Sequence, residues 1–183
     1  MADYRRYHVP GGTYFFTVVT HLRRRILTSE IGRRSLHEAI TVQQTKRPFE
    51  LVAIVLLPDH LHAVWSLPRG DDKYSLRWSQ IKEEFTRKFL AGGGREAAQS
   101  RSRSERRHRG VWQKRFWEHT CRDENDLKRL IDYVHWNPVK HGYVRRVRDY
   151  PWSSFHRFVE LGEYDLNWGR ADPCPGWDEP DWE

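Results

Sequence analysis

Residues 49–67 read FELVAIVLLPDHLHAVWSL, and this stretch decides the fold. Its first half, Phe49 to Leu57, is a nearly continuous apolar run rich in β-branched residues. Its length and content predict a strand, and its lack of polar alternation predicts burial on both faces. Pro58-Asp59 marks a tight turn. His60 to Leu67 then predicts a second strand, so that the two form a hairpin. His60 and His62 stand at i and i+2 and share one face of it, whereas Leu61 points to the opposite face, as a core residue would.

Outward from this hairpin the elements alternate. Upstream, Gly11-Gly12 reads as a turn, and Thr13 to Thr20 (TYFFTVVT) reads as a strand. Ser29 to Gln44 carries Ile31, Leu36, Ala39 and Ile40 at helical spacing, with Ser29 as its cap and Arg47-Pro48 as its end. Downstream, Ser75 to Leu90 predicts a helix with Leu76, Trp78, Ile81, Phe85 and Phe89 facing inward. Ala91 to Gly110 is Gly-, Arg- and Ser-rich with almost no apolar residue, and predicts a flexible basic insertion. A fourth strand is expected at Phe116 to Thr120. Asp123 to Trp136 is the clearest helix: Asp123 can cap it, and Leu127, Leu130, Ile131 and Val134 recur at i, i+3, i+4, i+7. Asn137-Pro138 should end it. The order β-α-β-β-α-β-α predicts an α+β fold. Its first six elements match a ferredoxin-like antiparallel sheet with helices on one face, and the seventh is an added C-terminal helix. One domain over 1–157 and a tail over 158–183 are expected.

Composition narrows the function. Lys and Arg outnumber Asp and Glu by 32 to 25 in 183 residues, a net charge of +7. The arginines cluster at Arg5-Arg6, Arg23-Arg24-Arg25, Arg101 to Arg109 and Arg145-Arg146. Such a chain favours polyanionic partners through counterion release. Its nine Trp, eight Tyr and eight Phe supply planes on which bases can stack. Cys121 and Cys174 are far apart, which predicts neither a disulfide framework nor a zinc finger. With no signal-peptide stretch and no run of membrane-spanning length, a cytoplasmic, nucleoid-associated protein is expected.

Two constellations can carry chemistry. Two imidazoles side by side on a strand can chelate one metal and leave positions for phosphate oxygens and water. In a chain with ten histidines such a pair can also be coincidence. Tyr133 and Asn137 lie at i and i+4 near the end of the last helix and share a face, beside its apolar stripe. A boundary tyrosine that packs its ring and wets its hydroxyl is the plainer alternative. If that helix crosses the histidine-bearing face, Asn137 adds a third, oxygen ligand. The resulting N,N,O set suits Mg²⁺ or Mn²⁺ bound together with a substrate phosphate. A phenol is a poor nucleophile at neutral pH, and a metal that polarises the phosphate helps it.

Four segments carry a resemblance: YRRYHVPGGTYFFTV (4–18), RPFELVAIVLLPDHLHAVWSLP (47–68), WQKRFWEHT (112–120) and IDYVHWNPVKHGYV (131–144). Together they resemble the REP-associated tyrosine transposases, a branch of the HUH (His-hydrophobe-His) single-tyrosine transposases, from about Tyr4 to about Arg157. The resemblance implies a ferredoxin-like core, metal-dependent cleavage of single-stranded DNA and a 5′-phosphotyrosine intermediate. It implies REP elements as substrates, which are palindromes that fold as hairpins beside a short tetranucleotide. By motif, His60 and His62 become the HUH pair, Tyr133 the nucleophile and Asn137 the third metal ligand.

Arg5, Arg6 and Tyr7 resemble that family's site for the tetranucleotide, where Arg reads a guanine edge and Tyr stacks a base. Arg115, Lys140 and His141 are close in sequence to the catalytic elements and are candidates for phosphate binding. Solvated surface charge is the alternative for each. Against a DNA strand-transferase, monomeric or dimeric, stand two other readings. One is a catalytically silent, domesticated DNA-binding protein; the other is an RNA-binding module in which the HxH pair is accidental.

Overall fold

The computed structural model describes residues 7–98 and 109–169. Four strands, β1 (Thr13–Val19), β2 (Glu50–Leu56), β3 (His60–Ser66) and β4 (Trp117–Thr120), form one sheet in the order β2-β3-β1-β4. Every pairing is antiparallel. Helices α1 (Glu30–Lys46) and α2 (Tyr74–Ala91) cover one face side by side, and α3 (Glu124–Lys140) packs on the other against β2 and β3. A short α4 (Phe155–Glu160) follows. The ferredoxin-like plan and the added helix are therefore both present.

Strand alternation divides the residues between two cores. Tyr14, Phe16 and Val18 of β1 join Leu61, Ala63 and Trp65 of β3 beneath α1 and α2, where Trp65 stacks on Trp78 at 4.3 Å. Burying Phe16, Ile81 and Phe85 completely contributes about 1.5–3 kcal/mol each. Phe15, Ala53, Val55 and Val64 point the other way and meet Leu130, Tyr133 and Val134 of α3. Both main caps form as expected. Ser29 Oγ accepts from Gly32 N at 3.1 Å, and Asp123 Oδ1 accepts from Asp126 N at 2.9 Å.

Three expectations are corrected. The strand expected to be buried on both faces is an edge strand, with Glu50 exposed and Leu51, Val52, Ile54 and Leu56 only partly covered. The central β3 is the fully buried one. The outer edge of β2 is closed from about a hundred residues downstream: Leu56 N donates to Trp152 O at 2.8 Å and Ser154 N to Ile54 O at 2.8 Å. Second, α3 does not stop at Asn137 but runs through Pro138 to Lys140. Asn137 and Pro138 are buried, and the end is closed one turn later, where Gly142 (φ +69°) allows a Schellman arrangement. In it Tyr143 N donates to Pro138 O and Gly142 N to Val139 O, both at 2.9 Å. Third, Leu76 is not an inner residue of α2; it is 39% exposed.

The expected insertion begins where α2 ends, and its residues 99–108 lie outside the described residues. Its two ends are joined. Ala97 N donates to Gly110 O at 2.9 Å, and Arg109 Nε donates to Glu96 at 2.8 Å. A Cβ at Gly110 would sit 2.3 Å from Ala97 O, so this junction needs glycine. Beyond residue 157, Tyr164 packs on His135 of α3 (5.3 Å between centroids), and its hydroxyl donates to Asp132. The first part of the expected tail is thus folded against the last long helix.

Candidate active site

The site begins with register. Thr17 of β1 is the partner of both His62 and Trp117, and Val55 of β2 is the partner of His62. Trp117, Thr17, His62 and Val55 therefore form one row across all four strands on the face that α3 covers. His60, two residues back, starts the next row at the rim. The two imidazoles stand 5.0 Å apart, nearly perpendicular. The Tyr133 ring meets His62 at 5.3 Å and Phe15 at 5.7 Å, both edge to face. One turn on, Asn137 is completely buried beside His62.

Each histidine is oriented through Nδ1. His60 Nδ1 lies 2.7 Å from Asp59 Oδ1, and His62 Nδ1 lies 2.9 Å from Thr17 Oγ1. This leaves Nε2 of each imidazole as the atom that could meet an ion, since a second partner at Nδ1 is what orients a metal-binding imidazole. Burial would raise the Asp59 carboxyl, but the bond to His60 and the adjacent Arg23 guanidinium outweigh it and hold it below the usual carboxylate range. Burial above all pushes His62 well below the ordinary imidazole value. The charges of His60, His141 and Lys140 push the same way, and Asn137 opposes them. His62 is therefore held neutral, the form in which an imidazole can bind a metal.

Asn137 supplies the test of fit. It stands near enough to His62 to favour the charged imidazole as a hydrogen-bonding neighbour, yet neither its Oδ1 nor its Nδ2 meets a partner at full hydrogen-bond geometry among the described residues. An amide buried in this way costs about 1–3 kcal/mol, which a ligand would repay. Among the described residues no three His, Cys, Asp or Glu side chains gather to hold an ion. Two imidazoles and an amide oxygen form the available set, and they fit an ion that also takes substrate oxygens.

A cleft of about 540 Å³ opens over the two histidines, lined by Thr17, Arg23, His60, His62, Gln113, Arg115, Trp117 and His141 among others. The structure thus brings Arg115 and His141 to the histidines, with His141 5.3 Å from His60. Lys140 Nζ lies 5.2 Å from the Tyr133 ring centroid. Tyr7 is elsewhere: it is 71% exposed, and its carbonyl accepts from Tyr74 at 3.3 Å, beyond the opposite end of β1. Arg5 and Arg6 lie outside the described residues. Sequence reasoning missed Arg23, Thr17 and Asp59 as parts of the site. Asp59 and Thr17 were within reach of it, one as the neighbour of the HxH pair and the other by strand alternation. Arg23 was not, because Leu22 and Arg23 take left-handed φ of 56° and 48°, which no glycine or asparagine announces.

A ferredoxin-like sheet with an HxH pair on its rim and a helical tyrosine against that pair defines the HUH single-tyrosine class. Comparison with known proteins agrees. The profile described as "Transposase IS200 like" matches residues 8–137, and the chain belongs to that family, in the branch of the REP-associated tyrosine transposases. It is 43% identical to the REP-associated tyrosine transposase of Escherichia coli (strain K12) over 169 residues, 92% of this chain and 91% of that one. It is 44% identical over 172 residues to a Haemophilus influenzae protein that carries the same name provisionally, covering 92% and 94% of the two chains. A solved structure of a REP-associated tyrosine transposase bound to a REP hairpin superposes with a TM-score of 0.77 at 43% identity, covering 92% and 91% of the chains. Membership makes the chain a transposase of the tyrosine-nucleophile type.

Proposed function

We propose that this chain cuts and rejoins single-stranded DNA at REP-type hairpins, with Tyr133 as nucleophile and a divalent ion, Mg²⁺ or Mn²⁺, held by His60, His62 and Asn137. One observation carries the reading: the Tyr133 ring packs edge to face on His62, 5.3 Å between centroids, and Asn137 follows one turn along the same helix. The ion, when bound, supplies Lewis-acid polarisation of the scissile phosphate. The chain supplies the rest. Tyr133 oxygen attacks phosphorus, the 3′-oxygen leaves, and the 5′-phosphate stays esterified to the protein, so the strand can be rejoined. Arg23, Arg115, Lys140 and His141 surround the path with positive charge, which suits a backbone threaded through the cleft. Tyr133 is only 3% exposed, so DNA must displace part of its cover before attack. Arg5, Arg6 and Tyr7 remain the proposed reader of the tetranucleotide, away from the chemistry. The substrate places the protein with the nucleoid. Among the described residues no helix is long and apolar enough to cross a membrane.

The deciding experiment incubates the protein with a labelled REP hairpin that carries a single-stranded flank, with Mg²⁺ or with chelator. A denaturant-stable protein–DNA adduct is expected only with the ion. Binding without any adduct would leave the silent DNA-binding protein as the better reading.

A further inference from the structure

A file of aromatic rings runs on from the cleft-lining His141 at the His60 end of the sheet. His141 stands between His60 and Tyr143, at 5.3 Å and 6.0 Å between ring centroids. Tyr143 is 38% exposed, and the Arg25 guanidinium hangs 5.9 Å from its centroid. Behind Tyr143, at 6.4 Å, is buried Tyr150, whose hydroxyl donates to Leu56 O at 2.6 Å. Leu56 N donates in turn to Trp152 O at 2.8 Å, which sets Trp152 at the same end of the sheet. Trp152 is also 38% exposed, and the Arg33 guanidinium lies 3.8 Å from its centroid.

Both exposed rings therefore carry an arginine, and neither arginine is paired with a carboxylate among the described residues: Arg33 instead donates to Thr28 O. A ring next to a guanidinium offers a plane for a base and a charge for the adjacent phosphate. The occupant that fits both is a single strand, since duplex bases are already stacked on one another.

We infer that Tyr143 with Arg25, and Trp152 with Arg33, form a stacking track for the unpaired DNA strand where it leaves the cleft past His141. The inference rests on the proposed nuclease reading and adds a binding surface to it. The track grips a few nucleotides outside the hairpin and so holds the scissile phosphate in the cleft. It reads no base edge, because stacking accepts any base.

The test measures affinity by fluorescence anisotropy for a hairpin alone, the hairpin with a four-nucleotide flank on either side, and the same flanks with abasic sites. Wild-type protein should bind one flanked hairpin more tightly than the bare hairpin. Tyr143→Ala and Trp152→Ala should each lose about tenfold on that substrate and nothing on the bare hairpin. Tyr143→Phe should retain the affinity, because the ring and not the hydroxyl does the stacking. Abasic flanks should weaken the wild type but leave Tyr143→Ala unchanged, since the plane that the bases would have used is already gone. Equal losses on the bare hairpin, or equal losses with and without bases, overturn the track. Wild-type cleavage with fully unaffected alanine variants also overturns it and leaves the nuclease reading intact. A wild type that neither binds nor cuts any of these DNAs removes both. Thermal melting of each variant separates lost contacts from lost folding.

Discussion

The two faces of the sheet are built from the same strands to opposite ends. On the α1/α2 side, Phe16, Leu61, Ala63, Trp65 and Trp78 are buried and apolar, and each makes its contribution in the folded state. On the α3 side the same alternation presents Thr17 and the buried His60 and His62, and the helix answers with Tyr133 and Asn137, both buried. Polar groups at that depth are costly, and Asn137 meets no partner at full hydrogen-bond geometry among the described residues. One face is optimised for stability and the other gives stability up, which is how a binding site differs from a core.

That contrast can be broken most sharply at Tyr133. Tyr133→Phe removes one oxygen, should lower adduct formation on the order of 10⁴-fold or more, and should keep hairpin affinity. Undiminished cleavage would remove Tyr133 from its role. On the opposite face Trp78→Ala should cost about 3–5 kcal/mol in urea melts with no specific effect on chemistry. A small loss there would mean that the face does not carry the stability assigned to it.

Acid sharpens the comparison, because the α3 face holds the buried imidazoles. Burial, with Arg157 nearby, pushes His135 down to about 3. In the unfolded chain it protonates near 6.5, so below that pH the unfolded state binds a proton that the fold refuses. Stability is intact above about pH 6.5 and falls towards pH 3 by about 1.4 kcal/mol per unit per proton. Melts between pH 7 and 4 should show this slope, and His135→Gln should flatten it by one proton's share. An unchanged slope would place the acid sensitivity elsewhere.

Smaller effects test the edges of the site. Asp59→Asn should weaken Mn²⁺ binding about 10- to 100-fold by releasing His60, as calorimetry would show; wild-type affinity would make the 2.7 Å contact incidental. Asn137→Leu should leave stability level or raise it by about 1 kcal/mol while abolishing the ion-dependent adduct. A marked loss of stability would mean that Asn137 is a structural residue.

The sequence carried most of this wherever a short-range rule applied. Alternation placed His60 and His62 opposite Leu61, and a four-residue spacing put Tyr133 and Asn137 on one side of α3. What it missed depends on distant chain. The apolar run of β2 looks doubly buried, yet its cover comes from Trp152 and Ser154, which no local pattern connects to Ile54. Pro138 should end a helix by local rule, but burial and the Gly142 closure override it. Arg23 reaches Asp59 at 3.2 Å only through a left-handed turn whose residues do not advertise it.

The joined ends of the insertion have a consequence for how such a protein can change. Ala97 and Gly110 are bonded to each other, and Glu96 holds Arg109, so the sheet meets a fixed junction however long the chain between them is. Closing a loop costs only about 0.6 kcal/mol more each time its length doubles. Length and composition there are free to drift, acquire new contacts or accept a fused segment, while the junction holds Val111 and the cleft-lining Gln113 in place behind it.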